Sequence, residues 1–162
     1  MFSVVAVNKD WAIGKDGQLL YRISEDMKHF KELTVGKAII MGRKTLESLP
    51  HSKPLPKRKN YILSTNPSFE VEGAEVLHSL EEALEVIKSY PKDGIACIGG
   101  AAIYSLLLPY TDYVEATIID SSGEEADSYF PNLEKLGWKG GDGQWNETAE
   151  GPRYMFTKFF RE

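Results

Sequence analysis

Cysteine is nearly absent: Cys97 is the one thiol among 162 residues. That excludes an internal disulfide, fits a reducing cytosol and leaves no set of thiolates for a zinc site. The three histidines, His29, His51 and His78, fall at no metal-ligand spacing, so no metal is expected. No apolar run approaches the roughly 20 residues of a membrane span. The opening "MFSVVAVNKD" is too short for the apolar core of a signal peptide, so neither membrane nor export is expected, and the location expected is cytoplasmic. Basic residues are fewer than acidic ones, 19 against 24, and a net charge of −5 offers nucleic acid no general attraction. Ser48 and Ser64 lack the flanking glycines of a nucleophile elbow. Internal repeats, low-complexity tracts and linkers are also missing, which suits one domain spanning residues 1–162.

What the chain does have is a core. Apolar residues make up 42% and aromatic residues 11%. "FSVVAV" (2–7) reads as a buried strand, followed by turn chemistry in "NKDWAIGKDGQ". A helix is expected from Ser24 to about Thr34. "KAIIM" (37–41) reads as a strand ending at Gly42, "RKTLESL" as a short helix, 50–59 as a proline-punctuated loop and "NYILS" (60–64) as another strand. "AEVLH" (74–78) is a candidate strand. "SLEEALEVIKSY" (79–90) sets Leu80, Ala83, Leu84 and Ile87 on one helical face. "GIACIGG" (94–100) reads as strand into glycine turn, and "AAIYSLLL" as a helix stopped by Pro109. "DYVEATIID" (112–120) and "RYMFTKFFR" (153–161) read as later strands, with Tyr154, Phe156 and Phe160 as core or sheet surface.

Strand–helix alternation through the first two thirds predicts an α/β fold. Its centre would be a mixed, mainly parallel sheet of about eight strands, with helices on both faces and an antiparallel C-terminal edge. Ligands in such folds sit beyond the carboxyl ends of the strands. That directs attention to the residues after Val7, Met41, Leu63 and Ile98.

Four features there can carry chemistry. In "LLYRISEDMKHF" (19–30), Asp26 shares a helical face with Phe30 and Leu33, while Glu25, Lys28 and Lys31 look toward water. An acid there is either an ordinary first-turn carboxylate or a cleft group able to accept two parallel hydrogen bonds from a flat ligand edge. "IGGAAIY" (98–104) is either a plain tight turn or a close backbone approach to a pyrophosphate, since it lacks the G-x-G-x-x-G spacing. Arg43 and Lys44, opening a helix, and Ser64 and Thr65, ending a strand, are surface polarity singly and a phosphate pocket together. The basic run "KPLPKRKN" (53–60) is mostly a solvated face, in which Arg58, held by prolines, could fork onto a carboxylate.

In order and spacing, "WAIGKDGQL", "SEDMKHFKELT", "IIMGRKTLESL", "PLPKRKNYILS", "IGGAAIYSLLLP" and "ADSYFP" resemble the dihydrofolate reductases of the bacterial, single-domain type, over essentially the whole chain. The resemblance implies reduction of 7,8-dihydrofolate to tetrahydrofolate with NADPH, by hydride transfer to pterin C6 and protonation of N5 through water. It implies that Asp26 holds the pterin 2-amino group and N3 and promotes that protonation. Thr117 corresponds to the threonine that supports the carboxylate, and Tyr21 to a residue that holds a water near the pterin. Val5, Ala6, Met27, Phe30, Leu49, Ile98 and Tyr104 correspond to the substrate wall, and Arg58 to the clamp on the glutamate carboxylate. For NADPH the corresponding positions are Ala6, Ile13, Gly14, Leu19, Gly42, Arg43, Lys44, Thr45, Leu63, Ser64, Thr65, Ile98, Gly99, Gly100, Ala101, Ala102 and Tyr104. A cis peptide is implied at Gly99–Gly100, a mobile covering loop at 9–23, and a monomer with small-molecule ligands as its partners.

The chain departs from the resemblance next to Asp26. Leu19-Leu20-Tyr21 stands where Leu-Pro-Trp is usual, and Ser24 where a second proline is common. Fewer prolines imply a looser open loop. "PHSK" (50–53) is longer than the compact family version, and Lys57 replaces a usual glycine. Two other readings stay open: a reductase of the same fold acting on another pterin or a pyrimidine, and a folate or dinucleotide binder without turnover.

Overall fold

Strands covered on both faces need apolar residues at every position, and the central runs of this chain supply them. The computed structural model describes residues 1–149 and 151–161. Strand β1 (Phe2–Asn8) pairs in parallel with β7 (Ile95–Cys97) on one side and β8 (Tyr113–Ile119) on the other. Beyond β7 lie β4 (Ala38–Gly42), β5 (Lys59–Leu63) and β6 (Ala74–Leu77), all parallel. On the far side of β8, β12 (Tyr154–Phe160) runs antiparallel, and the short β10 (Lys139–Gly140) and β11 (Trp145–Asn146) pair with it. The order is β10-β12-β8-β1-β7-β4-β5-β6, with β11 also on β12.

The pleat assigns each face its helices. Ile40, Tyr61, Leu63, Ile95 and Cys97 pack with Ala83 and Ile87 of α3 (Leu80–Lys88) and with Tyr104 and Leu107 of α4 (Ala101–Leu107). Phe2, Val4, Ile39, Met41, Ile62, Ala96 and Ile98 pack with Phe30 and Leu33 of α1 (Ser24–Thr34) and Leu46 of α2 (Arg43–Ser48). Ile39, Ile40, Met41, Ile62 and Ile95 are fully buried, each contributing about 1.5–3 kcal/mol of transfer free energy. Ser79 caps α3 by accepting the Glu82 backbone N–H, an arrangement worth about 1 kcal/mol.

The sheet and helices match the expected α/β architecture, and the differences lie in short elements. The expected turn after β1 contains a hairpin, β2 (Ala12–Lys15) with β3 (Gln18–Leu19), closed by Asp16 and Gly17, both at positive φ. That two-residue Asp-Gly turn matches strand twist. β2 also pairs with β9 (Ser128–Tyr129), forming a second small sheet. The strand expected to run into the glycine turn within 94–100 is β7, which ends at Cys97, and the short β10 adds a further strand outside β12 at the antiparallel edge. The helix expected to residue 90 ends at Lys88.

Candidate active site

Asp26 owes its place to how α1 begins. Ile23, buried and extended, precedes the helix, and its carbonyl accepts the Asp26 and Met27 N–H groups at 3.0 Å each. Anchored there, α1 turns Phe30 and Leu33 toward the sheet and leaves Glu25, Lys28 and Lys31 exposed. Asp26, on the inward side, meets a crevice lined by Ala6, Val7, Ala12, Ile13, Leu19, Tyr21, Ile23 and Ile119. It is the one carboxylate in a largely apolar wall. Burial pushes its pKa above the usual value, against the opposing pulls of Thr117 and the nearby His29. Thr117, buried in β8, donates its hydroxyl to Asp26 Oδ1 at 2.5 Å. The other carboxylate oxygen and the remaining lone pairs are left for a flat donor edge.

The glycine turn lies beyond the ends of β7 and β4. Gly99–Gly100 is a cis peptide, Gly99 has φ +109°, and the Gly99 carbonyl accepts Gly42 N–H at 2.9 Å. A Cβ at Gly99 would lie 2.9 Å from the Tyr104 ring, so no larger residue fits without displacing that ring. Tyr104 in turn donates to the Val4 carbonyl at 2.6 Å, fixing α4 against β1. Gly42 and Leu63 are register partners at the ends of β4 and β5. Exposed Arg43 and Lys44 therefore open α2 next to Ser64 and Thr65, and the separate polar features of the sequence converge at one end of the sheet. Thr45 faces Gly100, its hydroxyl 3.4 Å from where a Cβ there would be. Ala101 and Ala102 open α4.

Arg58 marks the other end of α1. Its guanidinium donates to Thr34 Oγ1 at 3.0 Å and to the Pro56 carbonyl at 2.9 Å, and burial lowers its pKa. Eight residues of helix separate Asp26 from Thr34, about 12 Å. Leu49 and Phe30 pack in the same apolar cluster between these ends. Arg58 also borders an open hollow of about 440 Å³ with Lys37, Lys57 and Lys59. This hollow is larger than the crevice at Asp26, but among the described residues no carboxylate lines it beside its cations.

The structure brings Ala6, Ile13, Leu19, Tyr21 and Asp26 into one crevice, with Thr117 behind the acid. Val5, Ile98 and Tyr104 are buried nearby in the sheet and α4. Leu19 and Met27, at 51% and 59% exposure, present apolar surface to solvent. Tyr21 packs against the cluster of Ile23, Ile119 and Tyr154. Its hydroxyl is buried without a hydrogen bond of normal geometry, yet lies close enough to Glu124 and Ser121 for both to act on its acidity. Its pKa is raised by burial first and by Glu124 second. Sequence reasoning missed Ile23 and Ile119. Ile119 lies two residues beyond Thr117 on the same strand, and period-two alternation was the signal for it. Nothing local pointed to Glu124. Among the described residues, no cluster of His, Cys, Asp and Glu could hold a metal ion, and no helix is long and apolar enough to cross a membrane.

A family model described as dihydrofolate reductase matches residues 1–161. The chain belongs to the dihydrofolate reductase family. It is 40% identical over 152 residues to the dihydrofolate reductase of Mycobacterium tuberculosis, covering 92% of this chain and 90% of that one. With the enzyme of Neisseria meningitidis serogroup B it shares 36% identity over 159 residues, 98% and 96% of the two chains. A solved dihydrofolate reductase from Enterococcus faecalis, complexed with NADP(H) and RAB-propyl, superposes with a TM-score of 0.86 at 29% identity. That superposition covers 99% of this chain and 95% of the other. A dihydrofolate reductase fold thus places Asp26 and Arg58 at opposite ends of α1.

Proposed function

We propose that this chain reduces 7,8-dihydrofolate to 5,6,7,8-tetrahydrofolate with NADPH, and that Asp26 is the group that controls the proton. The supporting observation is a partly buried carboxylate with a raised pKa, held by Thr117 in an apolar crevice of a dihydrofolate reductase fold. The pterin offers a 2-amino group and a ring N–H side by side, and a carboxylate accepts that pair. At the other end of α1, Arg58 keeps its charge beside Thr34 and receives the glutamate carboxylate of the substrate. Ala6, Met27, Phe30, Leu49 and Ile98 supply apolar wall between them.

The residues present fit NADPH. The Gly99–Gly100 turn against Tyr104 leaves backbone bare where a side chain would collide, and the start of α4 presents N–H groups to a pyrophosphate. Arg43, Lys44, Thr45, Ser64 and Thr65 would hold the 2′-phosphate end, and Ile13, Gly14 and Leu19 the nicotinamide end. When bound, NADPH supplies the hydride that reduces the pterin. The chain's own work is the proton. Burial makes Asp26 hold a proton to higher pH than a solvated aspartate, and this favours protonation at N5 through an intervening water. The apolar walls keep other water out and strengthen the field of the carboxylate.

Following NADPH absorbance with purified protein, with and without dihydrofolate, tests this reading. Oxidation that depends on dihydrofolate is the expected result. Oxidation with a different pterin or a pyrimidine alone would assign another substrate. Thermal stabilisation by dihydrofolate without any oxidation would make the protein a binder.

A further inference from the structure

The segment from Asn8 to Tyr21 carries part of the crevice wall, and one carboxylate outside the crevice meets both of its ends. Asn8, buried at the end of β1, donates Nδ2 to Glu124 Oε2 at 2.6 Å. Its Oδ1 accepts the N–H groups of Asp10 and Ala12 at 2.9 Å each. Glu124 is held on its other oxygen by the Ser121 hydroxyl. The backbone around it is pinned by Lys9 N–H on the Ser121 carbonyl and by Gly123 N–H on the Asp10 carboxylate. At the far end of the same segment, the buried Tyr21 hydroxyl lies next to this carboxylate with no hydrogen bond of its own.

A carboxylate offers about four lone-pair sites, and Asn8 and Ser121 occupy only part of them. A buried hydroxyl left unpaired is costly, and Glu124 is an acceptor close enough to act on its acidity. Ionisation supports the arrangement. The three side chains around Glu124 hold its pKa down to about 2, so it is an ionised acceptor at neutral pH.

We infer that Glu124 is a positioning residue: it accepts the Tyr21 hydroxyl and so ties the end of the 8–21 segment to its beginning, setting the crevice wall opposite Asp26. Glu124 touches neither crevice nor Asp26 directly and acts through Tyr21. The kinetic side of this inference rests on the proposed reduction of dihydrofolate, whereas the structural side does not.

The test therefore uses two readouts. Tryptic cleavage after Arg22, the exposed residue following Tyr21, is timed in the protein without ligands for wild type, Tyr21→Phe, Glu124→Gln and the double variant. Each single change should speed that cut about threefold or more, and the double variant should add little to either, as coupled partners do. Melting temperatures check that each variant is folded. Steady-state kinetics of Glu124→Gln should show the dihydrofolate KM rising about fivefold with kcat within about twofold, the pattern of a displaced binding wall. Additive effects on cleavage, or a Tyr21→Phe variant cut at the wild-type rate, would overturn the tie. Normal coupling in cleavage with no turnover even in wild type would instead sink the proposed activity and leave the tie standing.

Discussion

Tyr21 shares a crevice with Asp26 and lies near Glu124, and each carboxylate accepts a hydroxyl from β8 or the turn just after it: Thr117 for Asp26 and Ser121 for Glu124. Their protonation is nonetheless driven in opposite directions. Asp26 lies against Ile23, Ile119 and Ala6, and the loss of water outweighs its single short hydrogen bond, so its pKa rises. Glu124 stays near solvent, where little hydration is lost, and Ser121, Tyr21 and Asn8 together bring its pKa down to about 2. Similar local partners thus leave one carboxyl with a raised pKa and hold the other as an anion. Burial decides which is which.

The largest test of that contrast is Asp26→Asn. The amide keeps the shape and can still accept from Thr117, but it cannot take up or release the proton. Turnover at neutral pH should fall about 10²–10⁴-fold, the usual size of a positioned acid–base contribution. NADPH affinity, measured by fluorescence titration, should hardly change. A loss below about tenfold would place the proton elsewhere and remove the contrast with Glu124.

Thr117→Val sharpens the same contrast with a smaller effect. Removing the hydroxyl takes away the interaction that most favours the ionised form of Asp26, so its pKa should climb further. A reaction that needs a proton loses rate as pH rises through that pKa. The alkaline fall of kcat should therefore move to higher pH in the variant, as read from a pH–rate profile. A shift to lower pH would contradict the assignment of Thr117 as a support of the ionised form.

The smallest effects concern stability, and they should have opposite signs. Asp26 has a raised folded-state pKa. Its contribution is fully present below the unfolded value of about 3.9 and is lost as pH rises through the folded value. Asp26→Asn should accordingly melt higher than wild type at pH 7, with the gap narrowing in acid. Glu124 has a depressed folded-state pKa. Its contribution is present above the unfolded value of about 4.3 and disappears as pH falls toward about 2. Glu124→Gln should melt lower at pH 7 and converge with wild type in acid. Calorimetric scans across pH would expose either sign if it were wrong.

The parts of this architecture that a reader of the sequence could see are those with long patterns. Uninterrupted runs such as "KAIIM" become strands covered on both faces, and Leu80, Ala83, Leu84 and Ile87 trace one side of α3. The oddity of Asp26 was visible because its neighbours Phe30 and Leu33 defined an apolar face. Two-residue strands such as β9, β10 and β11 have no period to detect, and they form only because a longer partner is already in place. Arg58 was legible as a candidate through its prolines, but its bond to Thr34 joins positions 24 residues apart. The meeting of Tyr21 with Glu124 was hidden for the same reason. It depends on β8 and β1 lying side by side, and no local spacing encodes that.

Thr117 faces Phe156 across the ladder, because β12 covers the flank of β8 that β1 leaves open. On the ribosome, residues 154–160 appear long after Asp26, β1 and β8 have been made. Until they emerge, the strand carrying Thr117 has a bare edge, and the Asp26 pocket lacks the backing of its last neighbour. The nascent protein can assemble most of its parallel sheet in advance, yet its acid becomes fully set only once β12 has followed β8 out of the ribosome. That leaves a window in which the unpaired edge of β8 is exposed to other chains.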